Sequence, residues 1–215
     1  MTTRGFFMSY SGLPKDAAGL QRLMEKRFSG FSLRFKSDGY AGLAIHYRVA
    51  VCFVKALYAV MGFLSRGRFH RDFDKHYVTV FGNEVWLPSR RYVEDPNFEG
   101  VLYGILRHEM AHMLDREAHP VWFPLSYVLF FPTLYTMRAE WEWRGYTQTM
   151  MVDFERYGEI SDEQINRIAK IMTSGGYFFM MAPWRGAAAQ ARAIQIAVDI
   201  TSGRLVGYDL HKRKS

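Results

Sequence analysis

Arg107-His108-Glu109-Met110-Ala111-His112-Met113-Leu114-Asp115 gathers two imidazoles and two carboxylates within nine residues. His108 and His112 stand four apart, so on a helix of about 3.6 residues per turn their rings lie one above the other and can reach a single metal ion. Glu109 follows the first histidine by one residue. That offset keeps its carboxylate out of the inner coordination sphere yet near enough to take a proton from a metal-activated water. The chemistry this arrangement predicts is metal-assisted hydrolysis. A catalytic zinc site typically takes three protein ligands and keeps one position for water, so one ligand must come from elsewhere in the chain.

The spacing demands a helix, and the flanking residues supply one. Asp95 can cap its start, Pro96 suits the first helical position, and Pro120 ends it. Phe98, Val101, Leu102, Ile105, Leu106, Met110 and Met113 are its expected buried side. Val101, Ile105, His108, His112 and Asp115 recur at alternating spacings of three and four, so the metal face emerges from an apolar stripe. Asp115 is then placed to fix a histidine tautomer by hydrogen bonding.

From His108 to His112 the chain resembles the zincin metallopeptidases, and a looser likeness runs from about His76 to Tyr157. The resemblance implies a mainly helical α+β fold with a zincin-like core: an HExxH helix, a small β-hairpin or sheet beside it, and a second helix giving a glutamate to Zn2+. The metzincin branch wants glycine at 115 and histidine at 118. Here those positions hold Asp115 and Ala118, with His119 one residue late, an error of about 100° of helix. Met181-Ala182-Pro183 is faintly similar to the methionine turn of that branch. The gluzincin branch takes a glutamate from a downstream helix, where Glu140 and Glu142 both stand. Glu140 is preferred because Met137 and Trp141 flank it on the expected buried stripe; Glu142 and His119 remain the alternatives.

Both glutamates also have a plain reading, since Arg138 with Glu142 and Glu140 with Arg144 are i,i+4 pairs worth roughly 0.2–0.5 kcal/mol each on an exposed helix. In several gluzincin families an aspartate follows the ligand glutamate by four residues; Arg144 occupies that place, and Asp115 is the substitute carboxylate. By the same resemblance Glu109 is the general base in peptide-bond hydrolysis, with His119, Tyr146 or Tyr177 as candidate oxyanion donors.

At 215 residues the chain is long enough for one sizeable core, and no composition shift marks a linker, so one domain over 1–215 is expected. Hydrophobic residues make up 49%, which excludes disorder, and the 12 methionines read as core filler. The net charge of +7 is scattered except at His211-Lys212-Arg213-Lys214, so nucleic acid is not an expected partner. Cys52 is the only cysteine, which rules out an internal disulfide or thiolate zinc site and fits a reducing, cytoplasmic compartment. Residues 1–20 lack the apolar core of a secretory signal. Leu43–Leu64 contains His46, Arg48 and Lys55, and Pro120–Met137 is broken by Pro124 and Pro132, so neither reads as a spanning helix. Peripheral membrane contact through 120–132 is a further expectation, against a buried or site-covering segment.

The elements around the motif follow from period and punctuation. Helical spacing covers Pro14–Phe28, and Phe31–Phe35 alternates as a brief strand. Ala41–Leu64 reads as a long helix with Ile45, Val49, Cys52, Phe53, Ala56 and Val60 innermost. Tyr77–Phe81 and Glu84–Leu87 flank Gly82-Asn83 as a hairpin, and one of its strands is expected to receive extended substrate or simply to cover the motif helix. A long helix runs from about Thr133 toward Tyr157. Ser161 and Gln164 form the start of a capped helix that stops at Ser174-Gly175-Gly176, Tyr177–Met181 is a short apolar run, and an alanine-rich helix from Pro183 or Arg185 ends at Ser202-Gly203. Two other functions compete with hydrolysis: a non-catalytic metal-binding recognition module, and a protease directed to nucleic acid, whose binding would fall steeply with salt.

Overall fold

Gly82 adopts φ 62°, the left-handed conformation that a two-residue hairpin turn requires, and so lets Thr79–Phe81 (β2) fold back on Glu84–Leu87 (β3). The antiparallel register pairs Phe81 with Glu84 and Thr79 with Trp86. Ser32–Phe35 (β1) pairs in parallel with the other edge of β3, giving a three-stranded mixed sheet of order β1-β3-β2. The computed structural model describes residues 13–40, 42–45, 47–49, 51, 52, 55, 56, 59, 73–123, 126, 137–174 and 180–205. Within them the protein is mainly helical, an α+β chain with this one small sheet.

Two compact units divide the chain, one of Asp16–Leu102 and one of Met1–Lys15 with Tyr103–Ser215. The first holds the sheet and Ala17–Arg27 (α1). Asp16 caps α1 by accepting from the Gly19 N–H at 2.6 Å, and Glu99 accepts from the Ala17 N–H at 2.9 Å. Leu43, Val51 and Trp86 form a buried cluster, with Tyr40, Tyr47 and Phe81 packed against it. The described residues between 45 and 59 are helical, but Ile45 and Val49 are 74% and 63% exposed and Cys52 is also exposed. Ile45, Val49, Cys52 and Ala56, expected to lie innermost, are thus corrected, with Leu43 and Val51 in the core instead; Phe53 and Val60 lie outside the described residues.

Lys36 is a buried cation in this unit, donating to the Tyr77 carbonyl and to Thr79 Oγ1 at 2.8 Å each. Burial depresses its pKa to about 7, against the attraction of Asp74 and with some help from Lys55. Between that value and its unfolded value of 10.5 the unfolded chain holds the extra proton, so stability rises with pH across this window. Below about pH 7 the ammonium is present in both states and its burial cost is felt in full. The slope should amount to a few kcal/mol overall and should vanish in Lys36→Met; urea midpoints from pH 6.5 to 10 that rise equally in both proteins would refute it.

Among its described residues the second unit contains four long helices. Glu99–Ala118 (α2), within which the boundary between units falls, is preceded by a 3-10 turn, Pro96–Phe98. Asp95 caps that turn, accepting from the Asn97 N–H, so the cap and proline act one short helix earlier than expected. Leu102, Leu106, Met110 and Met113 are buried as predicted, whereas Val101 is 50% exposed. Met137–Tyr157 (α3), Asp162–Thr173 (α4) and Gly186–Thr201 (α5) follow. Ser161 Oγ accepts from the Gln164 N–H, as its sequence predicts. Trp143, Met150, Ile168, Met172, Ala189 and Ala193 belong to the core of this unit, where the small alanines of α5 allow close helix approach.

The apolar segment 120–132, the run at 177–181 and the basic tail lie largely or wholly outside the described residues. Among the described residues no helix is long and apolar enough to cross a membrane.

Candidate metal centre

The i,i+4 spacing on α2 brings the two imidazoles together as a helix must. Their Nε2 atoms face each other at 3.0 Å. Glu142, on α3, completes the group: its Oε2 lies 3.5 Å from His108 Nε2 and 3.9 Å from His112 Nε2. The three side chains are 14%, 8% and 6% exposed. Zinc–nitrogen and zinc–oxygen bonds of about 2.0–2.1 Å at a tetrahedral angle place ligand atoms roughly 3.3 Å apart. The observed separations bracket that value. Two Nε2 lone pairs and a carboxylate oxygen converging on one point are a donor set suited to a divalent cation, and the group fits one.

The electrostatics of the group suit a bound cation. Glu142 is pushed upward by burial but held well below the usual carboxylate range, at about 2, by the hydrogen bond from His108 and the charges of His112, His108 and Arg138. Burial drives His112 down to about 3, against the pull of Glu142. Burial also opposes a proton on His108, but Glu142 and Glu109 together outweigh it and leave the group raised. One neutral imidazole and one anionic carboxylate are thus in the state that metal coordination needs, and a proton on His108 would have to leave for its ring to coordinate.

Glu109 stands outside this group, as its place in the sequence predicts. Burial, reinforced by the charge of Glu142 and opposed by His108, pushes its pKa up to about 7. A carboxylate poised there is a competent proton acceptor at neutral pH.

Glu140 is corrected as the third-ligand choice. Its carboxylate takes both guanidinium nitrogens of Arg192 on α5, at 2.9 and 2.6 Å, and Arg192 in turn lies over the Trp143 ring. The physical reason is helix phase: residues two apart differ by about 200° around the axis, so α3 can aim only one of the pair at α2. Trp141 is buried as foreseen, but Met137, the other flanking residue, is 39% exposed. His119 is not in the group either; it is exposed, its ring 5.5 Å from that of Trp141. Met181 is core, its N–H bonded to the Met172 carbonyl at 2.8 Å. Of the oxyanion candidates, Tyr146 packs edge-on against His108 at 4.9 Å, and Tyr177 lies outside the described residues.

Gly145 was not singled out from the sequence, yet it decides the packing. A β-carbon there would meet His108 Nε2 at 2.5 Å, Cε1 at 2.6 Å and Cδ2 at 2.8 Å. The His108 ring therefore rests on bare backbone of α3, one turn beyond Glu142. The available signal was a glycine in the middle of a long helix, where it costs about 1 kcal/mol relative to alanine and asks for a reason. Asp115 is likewise reassigned. Neither of its oxygens hydrogen-bonds an imidazole; the carboxylate is fully buried and meets Arg144 Nη1 at 2.6 Å.

Arg107, one residue before the first histidine, also ties α2 to α3. It has no exposed surface and donates to Gln148 Oε1 at 3.1 and 3.3 Å, to Glu155 Oε2 at 3.1 Å and to the Tyr103 hydroxyl at 3.2 Å. Tyr103 passes the connection on, donating to the Pro14 carbonyl at 2.8 Å. Arg107→Met should cost about 2–4 kcal/mol, because Gln148 is buried with it while Glu155 retains water as a substitute partner. A denaturation midpoint displaced by less than about 0.5 kcal/mol would show the network to be incidental.

The chain matches no protein-family model, no curated protein and no solved structure.

Proposed function

We propose that the protein is a metal-dependent hydrolase of peptide bonds, zincin-like in its site, with zinc held by His108, His112 and Glu142. The observation that carries the reading is the convergence of those three donors, with the half-buried Glu109 carboxylate one residue from the first of them. A bound zinc ion supplies Lewis acidity, lowering the pKa of water and polarising a carbonyl. The chain supplies the rest. Glu109 accepts the proton of the attacking water and returns it to the departing amine, a role suited to a group whose pKa lies near neutrality. Arg138 and Arg144 add positive charge that helps keep His112 unprotonated. Tyr146 packs edge-on against the His108 ring and Phe123 lies beside that of His112. Gluzincin is the nearer branch, since the third donor is a glutamate from a later helix.

Glu109→Gln is the decisive variant. Loaded with zinc and offered a mixed peptide library or an unfolded protein, it should lose about 10²–10⁴ in rate while binding the metal as tightly as wild type. No cleavage by zinc-loaded wild type would leave a metal-binding recognition module in its place, and equal cleavage by both proteins would remove Glu109 as the base.

A further inference from the structure

Arg144 and Asp115 form a buried ion pair between the two helices that carry the metal donors. Asp115 comes three residues after His112 on α2, and Arg144 two residues after Glu142 on α3. The pair at 2.6 Å therefore lies beside the donor cluster along the same two helices, and Arg144 immediately precedes the glycine on which His108 rests. Asp115 has no exposed surface, and burial pushes its pKa up to about 7 despite the guanidinium. Stability alone gives little reason for such a pair, because a buried ion pair is usually no better than apolar residues of the same volume. Geometry gives a better one. Opposite charges 2.6 Å apart in a dry interface resist separation more strongly than apolar packing does, and rotation of α3, which would separate them, is what selects Glu142 over Glu140.

The guanidinium has a second neighbour. It lies over the Trp141 ring at 5.6 Å, and Trp141 Nε1 donates to Ser126 Oγ at 3.0 Å. Ser126 donates to the Phe123 carbonyl, and Phe123 stands against both Trp141, at 5.3 Å, and the His112 ring, at 6.1 Å. The contacts thus run from Asp115 through Arg144, Trp141, Ser126 and Phe123 back to His112.

From this geometry we infer that the Asp115–Arg144 pair is a positioning strut that sets the distance between Glu142 and the two histidines, and with it the affinity and coordination geometry of the bound cation. Neither residue is a ligand. The inference rests on the metal reading above, and the experiment separates the two.

Zinc affinity is measured by competition with a chromophoric chelator, and coordination geometry by the visible spectrum of the cobalt(II) protein. The proteins compared are wild type, Arg144→Lys, Arg144→Met and the double variant Asp115→Leu/Arg144→Leu. Arg144→Met should bind zinc about 10–100-fold more weakly, the range typical of groups that orient ligands. Arg144→Lys, which keeps the charge but not the planar fork, should recover part of the affinity and shows the effect in a variant expected to fold. The apolar double variant should match wild type in thermal stability yet remain weak for zinc, with an altered cobalt spectrum. If it binds zinc with wild-type affinity and an unchanged cobalt spectrum, the pair is filler and the strut is refuted. If wild type binds neither metal, the metal reading itself fails and the strut with it.

Discussion

Glu142→Ala is expected to abolish zinc binding, whereas Glu140→Ala is expected to leave it intact. The two residues are two positions apart on one helix and carry the same side chain, so the comparison isolates geometry from composition. Glu142 is 5% exposed and is the only carboxylate grouped with both histidines among the described residues. Its loss removes the one anionic donor of the group, and should weaken zinc binding by more than the roughly 10–100-fold that outer-sphere groups command. The apoprotein of this variant should fold, because alanine also relieves the cost of burying a carboxylate. Glu140 instead pairs with Arg192, and both side chains are 34% exposed. Breaking a pair so placed costs about 0–1 kcal/mol and should not touch the metal. Metal analysis of the two purified variants after dialysis decides it: zinc retained by Glu142→Ala, or lost from Glu140→Ala, overturns the assignment.

Gly145→Ala is expected to reverse the usual effect of that exchange. At an ordinary helix position alanine for glycine gains about 0.5–1 kcal/mol. Here the new methyl group would stand 2.5 Å from His108 Nε2, so the ring or the helix must move. Overpacking of this kind costs typically about 1–3 kcal/mol and outweighs the gain. The larger consequence is for the site. His108 Nε2 is the donor that faces both His112 and Glu142, and a shift of even about 0.5 Å exceeds what a preorganised site tolerates. Zinc affinity should fall at least as far as in Arg144→Met, while Gly104→Ala on α2, where a β-carbon meets nothing within 4 Å, should leave affinity unchanged and stability raised. A more stable Gly145→Ala protein with wild-type zinc affinity would mean that the two helices are not this close.

The residues themselves determined the parts of this site that are local. The four-residue interval from His108 to His112 brings two imidazoles together on any α-helix, and the placement of Glu109 off that face needs no knowledge of the fold. Gly82-Asn83 likewise defined the hairpin, and Ser161 with Gln164 the start of α4, because turn and cap chemistry acts over a few residues. The third donor is different in kind. α3 buries Ala139, Trp141, Glu142, Trp143, Gly145 and Tyr146 in close succession, so it has no clean apolar stripe from which its rotation can be read. That rotation comes from contacts distant in sequence: Arg192 claiming Glu140, Asp115 meeting Arg144, and the absent β-carbon at Gly145 admitting His108. Each joins residues on different helices, and only the assembled helices bring them within reach.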